Sequence, residues 1–227
     1  MTLSGVLAVA ASVLAPPAAA GDGPALLDLA GYLAVLGCLA AAARDLAASD
    51  LTARDEAVVD PMTGLLNRLS LSARFTEAQE EARLTGGRLG LVMCDVDHFK
   101  QINDRYGHDR GDRVLQQLAE RLRSSLREGD LAFRVGGEEF VVLLPGEDLA
   151  AATARAERLR AAVAAEPVAG LPVTISAGAV STGGDGALSA LLRGADAALY
   201  EAKNAGRDRV VSGRPEPARP ALGAARG

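Results

Sequence analysis

The chain has 227 residues, a net charge of -5, 49% hydrophobic residues and no Trp. That length accommodates one ordinary domain with a real core plus something smaller. With 3% aromatic residues and an acidic balance, the main partner is not a nucleic-acid backbone, which calls for stacking rings and a basic surface. A phosphorylated small molecule remains compatible, provided a few basic side chains and a metal make its site locally positive. Cys38 and Cys94 lie inside apolar runs, suggest no disulfide framework, and point to a reduced, cytoplasmic setting for the main domain. With two His and no Cys pair at ligand spacing, a structural zinc site is not expected.

Residues 1–43 differ in composition from the remainder of the chain. Leu3 to Ala20 is apolar apart from Ser4 and Ser12, and Ala25 to Ala43 is broken only by Asp28. Each run approaches the roughly 20 residues of a membrane-spanning helix. Pro16, Pro17 and Gly21-Asp22-Gly23 form a turn between them, and Arg44 and Arg54 mark the cytoplasmic side. The expectation is a membrane hairpin over 1–43 with the catalytic part cytoplasmic. A cleaved signal peptide ending at Ala18-Ala19-Ala20 is one rival, although the basic n-region is missing; an Ala-rich helical arm off the membrane is another. Residues 44–59 read as a connecting helix.

Asp60 to Arg68 is a turn leading into a helix on which Leu71, Phe75, Ala78 and Ala82 share a face, ending at Gly86-Gly87. Leu89 to Val96 is the clearest strand, and it opens into Asp95-Val96-Asp97-His98-Phe99-Lys100. Two acids two apart on a strand share one face, and with a lysine beside them they suit a metal and a phosphate. An EF-hand loop is discarded, because its sixth position is Lys100 and its twelfth Tyr106. No Walker-type phosphate loop is present, since Gly86 to Gly90 precedes a strand.

Asn103 to Asp112 reads as a polar connection. A helix comes next, with Val114, Leu115, Leu118, Leu122 and Leu126 on one face, closed by Arg127 to Asp130. Leu131 to Phe133 and Phe140 to Leu144 are two strands joined through Arg134-Val135-Gly136-Gly137-Glu138-Glu139. Paired glycines there permit positive φ and close approach of an anion to the backbone, and two carboxylates sit at the same tip. Alone, such a tip is equally a solvated acidic turn. A helix over Leu149 to Ala165 turns Leu149, Ala152, Ala156, Leu159 and Val163 inward. Val173 to Val180 reads as a strand, Gly183 to Gly186 as a loop, Leu188 to Ala202 as the last helix and Arg209 to Val211 as a short strand. The tail, residues 213–227, has nothing to bury and is expected to be disordered.

Taken together, Asp60 to Arg68, Asp95 to Lys100, Asn103-Asp104 with Gly107-His108 and Gly111-Asp112, Gly136 to Phe140, and Asp196 through Leu199, Tyr200, Lys203, Gly206 and Arg207 resemble the GGDEF family of diguanylate cyclases. The likeness covers residues 60–211, in the Glu-Glu form of the signature. It implies an α+β fold: a palm-like, mostly antiparallel central sheet flanked by helices, over 60–212. It also implies a reaction in which two GTP condense into cyclic di-GMP with release of two pyrophosphates, across a homodimer in which a monomer is inactive.

By the same resemblance, Asp95, the Val96 carbonyl and Glu138 hold Mg²⁺, and Glu138, or less directly Glu139, helps to deprotonate the 3'-hydroxyl. Asn103 and Asp112 read guanine, with His108 near the base or ribose. Lys100, Lys203 and Arg207 meet the phosphates, assisted by backbone amides at His98 and Phe99 and by the open Gly136-Gly137 turn. Arg127 and Asp130 match an inhibitory RxxD motif that binds the product, with Arg158 as an added contact; a salt bridge at a helix end is the simpler alternative for that pair. Met62, Val135 and Asp208 depart from the pattern, and Asp208 sets a negative charge beside Arg207. A receptor that binds GTP or cyclic di-GMP without turning it over is the rival from another class. An enzyme making an adenine-containing product is a second rival, which Asp112 disfavours.

Overall fold

The computed structural model describes residues 35–41, 44 and 58–215. The chain divides into two compact units, Met1–Ala57 and Val58–Gly227. In the first, residues 35–41 and Arg44 are helical. The rest of the expected membrane hairpin and most of the connecting helix lie outside the described residues. No described helix is long and apolar enough to cross a membrane.

The connecting helix does not extend to residue 59. Val58 O accepts the Asn67 N–H at 3.0 Å, and Val59 bridges to Leu66 in an extended conformation. Two β-branched residues followed by Asp60-Pro61 explain the difference, because proline disfavours helix in the residue before it.

The second unit runs β1 (Leu66–Asn67), α1 (Arg68–Thr85), β2 (Arg88–Val96), α2 (Phe99–Tyr106), α3 (His108–Ser124), β3 (Leu131–Arg134), β4 (Glu139–Pro145), α4 (Leu149–Ala165), β5 (Ile175–Gly183), α5 (Leu188–Asn204) and β6 (Val210–Ser212). The sheet has six strands in the order β1-β3-β4-β2-β5-β6. Its three inner pairings are antiparallel, while the short edge strands β1 and β6 pair parallel. The expected mostly antiparallel sheet with flanking helices is therefore what forms.

Strand β2 is central and buried on both faces. Val92, Cys94 and Val96 join the apolar cluster under α2, α3 and α4, while Leu89, Leu91 and Met93 join the cluster under α1 and α5. Alternation of side chains along the strand assigns the two sets. Burial pushes the Cys94 thiol up to about 12, so it stays protonated and unreactive. On α1 the buried residues are Leu71, Phe75, Ala78 and Ala82, the face that the 4-3-4 spacing predicts.

Four local expectations are corrected. Asn103 to Asp112 is helical except at Gly107, whose φ of 81° and ψ of 160° break α2 from α3 within a single residue. Polar composition there reflects solvent on one side of two helices, not a loop. Strand β5 begins at Ile175 and extends to Gly183, where it pairs with Arg88 of β2. Leu126 lies beyond the end of α3 and packs only partly against the core. At the C-terminus, Gly213 N–H donates to Ala179 O at 2.8 Å, and the backbone of Arg214 and Pro215 lies where a Cβ on Gly194 would sit. Packing thus continues past residue 212, and the remaining tail, residues 216–227, lies outside the described residues.

Candidate active site

Asp95 is the last inward-facing acid of β2, and its pairing partner on β4 is Glu139, so the end of the central strand meets the 135–138 turn. The turn is fastened at several points. Val96 N–H donates to Glu138 O at 3.3 Å, Val135 N–H donates to Glu139 O at 3.0 Å, and fully buried Phe140 anchors the strand beyond. Arg134 donates to Gly137 O through Nη2 at 2.7 Å and pairs with Asp60 at 3.2 Å, tying the hairpin to the Asp60–Leu65 turn. The Met62 sulfur lies 3.1 Å from the same guanidinium, so this departure from the family pattern faces Arg134.

The glycine pair works differently from expectation. Neither Gly136 nor Gly137 has positive φ. At Gly136 the missing side chain leaves room for Glu139, whose carboxylate a Cβ would overlap; Gly137 is exposed with open space around its Cα. Crowding beside one carboxylate, and access beside the other, are what the turn needs.

Burial raises the Asp95 carboxyl above the usual range, opposed by Lys203, whose Nζ lies 2.9 Å from Oδ2, and reinforced by Glu139 and Asp97. Burial likewise raises Glu138, with Asp95 and Glu139 adding to the rise and Lys203 opposing it. Asp95 and Glu138 are therefore neighbours that repel. Among the described residues no three His, Cys, Asp or Glu side chains converge closely enough to hold a metal alone. A set of two carboxylates and the Val96 carbonyl, completed by substrate oxygens, is the kind of hard oxygen donor set that Mg²⁺ takes.

Asp97 is not a free acid in this cluster. Its carboxylate accepts from Thr174 Oγ1 and Ser176 Oγ, each at 2.7 Å, and from Asp208 N–H at 3.0 Å. The next residues open α2: His98 is its N-cap with φ of 58°, and the amides of Phe99 and Lys100 have no intrahelical acceptor. His98 and Lys100 are exposed, and the Lys100 ammonium has no hydrogen bond or ion pair among the described residues.

Asn103 on α2 and Asp112 on α3 come together across the Gly107 break. Asn103 Oδ1 is buried without a hydrogen-bond partner, and it occupies the place a Cβ on Gly111 would take. A buried, unpaired carboxamide oxygen is costly, so it marks a place for a donor to bind. Asp112 is half-buried beside it and His108 is exposed at the start of α3. A further cleft of about 280 Å³ borders Glu139, with Arg68, Arg193 and Asp196 around an apolar floor of Leu71, Met93 and Leu192.

Arg127 and Asp130 lie at the other end of the β3-β4 hairpin, and their side chains do not pair with each other. Asp130 accepts the Arg127 N–H at 2.8 Å and is ion-paired with Arg155, while the largely exposed Arg127 side chain reaches Glu147 at 3.2 Å. Arg158 is exposed on α4. Arg155 was missed by sequence reasoning, although it falls three residues after Ala152 and four before Leu159, on the buried stripe of α4. Glu147, Arg160 and the anchoring role of Asp97 were also missed, since each depends on contacts between distant segments.

A twisted antiparallel sheet with helices on both faces, an acidic pair at the mouth of its central strands and free cations around that mouth defines a mixed α/β domain built to receive a polyanion. Residues 57–209 match the family described as "Diguanylate cyclase, GGDEF domain". The chain belongs to the GGDEF family. It is 48% identical over 161 residues to diguanylate cyclase DgcP of Pseudomonas aeruginosa, covering 69% of this chain and 24% of that one. It is also 45% identical over 154 residues to diguanylate cyclase DgcM of Escherichia coli K12, covering 67% of this chain and 38% of that one. The chain thus spans well under half the length of these relatives. Among solved structures, the active GGEEF domain of a diguanylate cyclase from Vibrio cholerae superimposes with a TM-score of 0.62 at 37% identity, covering 66% of this chain and 98% of that one. The GGDEF domain of DgcB from Caulobacter crescentus, in complex with c-di-GMP, gives 0.64 at 31% identity, covering 69% and 96%.

Proposed function

We propose that the protein is a diguanylate cyclase that condenses two GTP into cyclic di-GMP and releases two pyrophosphates, working as a homodimer. The observation that carries this reading is the cluster of Asp95, Glu138 and Glu139 against Lys203, where two neighbouring carboxylates are held above their ordinary pKa by burial and mutual repulsion. Curated relatives named diguanylate cyclases support it at 45% and 48% identity.

In this reading Asp95, Glu138 and the Val96 carbonyl hold a Mg²⁺ ion. When bound, that ion offsets phosphate charge and stabilises the charge that builds during displacement. Lys100, Lys203 and Arg207 bind the β- and γ-phosphates, and the unsatisfied amides at the start of α2 donate to the same oxygens. Asn103 and Asp112 read the guanine edge; a carboxylate accepts from its N1 and N2 donors and rejects adenine by leaving buried groups unpaired. His108 lies toward the base or ribose. A raised pKa suits Glu138 to take the 3'-hydroxyl proton, and Glu139, packed on Gly136, is the alternative acceptor.

The test is incubation of the full-length protein with GTP and Mg²⁺, following pyrophosphate release and the product. Binding of GTP without release would favour the silent receptor. Asp112→Ser is expected to relax base choice, and an unchanged preference for GTP over ATP would remove Asp112 from the guanine site. Activity per chain should fall on dilution if two domains face each other. Product inhibition through Arg127 and Asp130, with Arg158, belongs to the same proposal; it fails if Arg127→Ala leaves inhibition by cyclic di-GMP unchanged. Membrane anchoring by residues 1–43 is proposed from their apolar runs and tested by detergent-free fractionation.

A further inference from the structure

Three consecutive residues after α5 have positive φ: Gly206 at 113°, Arg207 at 63° and Asp208 at 44°. Glycine adopts this region freely, whereas the other two carry side chains that disfavour it. Such a conformation persists only where neighbouring groups hold it in place. Asp208 is held twice. Its N–H donates to buried Asp97 at 3.0 Å, and the Asp97 carboxylate is itself fixed by the Thr174 and Ser176 hydroxyls. Its side-chain Oδ1 accepts from Arg160 Nη1 of α4 at 2.7 Å, and Arg160 is steadied by Glu157 at 2.8 Å.

Arg207, between the glycine and the clamped residue, keeps its own N–H on Ala202 O at 3.0 Å. Its guanidinium has no hydrogen bond or ion pair among the described residues. Four residues earlier on the same helix end, Lys203 reaches Asp95 at 2.9 Å. A strained turn clamped on one side of a free cation, at the helix end that also supplies Lys203, is an arrangement that aims the cation. The negative charge of Asp208 is meanwhile taken up by Arg160, so it does not neutralise Arg207.

We propose that Asp97 and Arg160 are positioning residues which, through Asp208, hold the Gly206–Asp208 turn so that the Arg207 guanidinium is set for the terminal phosphates of the nucleotide. The proposal rests on the reading of Arg207 as a phosphate ligand. It assigns Asp97 a role distinct from that of Asp95, two residues earlier.

Calorimetric titration of the full-length chain with 3'-deoxy-GTP, which cannot cyclise, and with GMP, which lacks the terminal phosphates, tests both statements. Arg207→Ala is expected to weaken 3'-deoxy-GTP about ten-fold and GMP less than about two-fold. Arg160→Met should weaken 3'-deoxy-GTP about three-fold, with Asp208→Asn matching it and Arg160→Lys recovering most of the loss. Combined with Arg207→Ala, Arg160→Met should have no further effect. Equal losses of Arg160→Met in both backgrounds, or equal losses for GMP, would overturn the positioning role while leaving the phosphate role of Arg207 intact. A normal affinity of Arg207→Ala for 3'-deoxy-GTP would instead remove the phosphate role and the inference with it. Asp97→Asn, if it folds, should follow Arg160→Met.

Discussion

The two ends of the β3-β4 hairpin both bury charge, and they do so with opposite consequences. At the Asp130 end, Arg155 is 7% exposed and sits among Asp130 and Glu147, with Arg127 reaching Glu147 from outside; opposite charges meet, although Glu147 Oε2 is left without a partner. At the turn end, Asp95 and Glu138 face each other with Glu139 nearby and Lys203 opposing all three. One end is largely compensated and the other carries surplus negative charge. A compensated buried cluster holds a shape, whereas an uncompensated one is prepared for a cation and a substrate.

This contrast can be broken from either side. The largest expected effect is at the paired end: Arg155→Met leaves Asp130 buried without its partner and should cost about 3–5 kcal/mol, read by urea denaturation. A loss below about 1 kcal/mol would mean that the cluster is solvated and the contrast is wrong. At the turn, Glu138→Gln should cut pyrophosphate release by roughly 100-fold, yet raise the melting temperature at neutral pH by about 1–3 °C, because one repelling charge is gone. Loss of activity together with loss of stability would show that Glu138 supports the fold.

Gly111→Ala comes next. Its Cβ would overlap Asn103 Oδ1, displacing the carboxamide, and the KM for GTP should rise about ten-fold with little change in kcat. An unchanged KM would detach Asn103 from base recognition. The smallest effect concerns pH. Asp95 and Glu138 both bind a proton more tightly in the fold than in the unfolded chain. Their contribution to stability is therefore fully present below the ordinary carboxylate pKa and is lost as pH rises through the raised values. The melting-temperature gap between Glu138→Gln and the native protein should accordingly close as pH falls from about 7.5 to about 5.

Much of this was legible in the chain. Apolar spacing along α1, the run of β2, the hairpin and the span of α4 follow from local pattern, since side-chain period and strand alternation are properties of short segments. Motif order likewise pointed to the family and to Asp95, Lys203, Asn103 and Asp112. Less was visible where a residue's job depends on a distant neighbour. Asn103 to Asp112 looked like a loop because polar residues dominate two helices that meet at Gly107, and the Gly136-Gly137 pair suggested positive φ where the fold needed space for Glu139.

Sequence by itself determined the elements, their order and the residue types gathered around a nucleotide, because these are written in local periodicity and in motifs of fixed spacing. Tertiary structure alone decided which of two adjacent-looking acids stays available: Asp95 meets Lys203, while Asp97 is taken up by Thr174, Ser176 and the Asp208 amide. It also decided that Arg155 pairs with Asp130 and Arg160 with Asp208. The physical reason is that a charge's role is set by the groups that surround it after folding, and those come from segments 25 to 111 residues away.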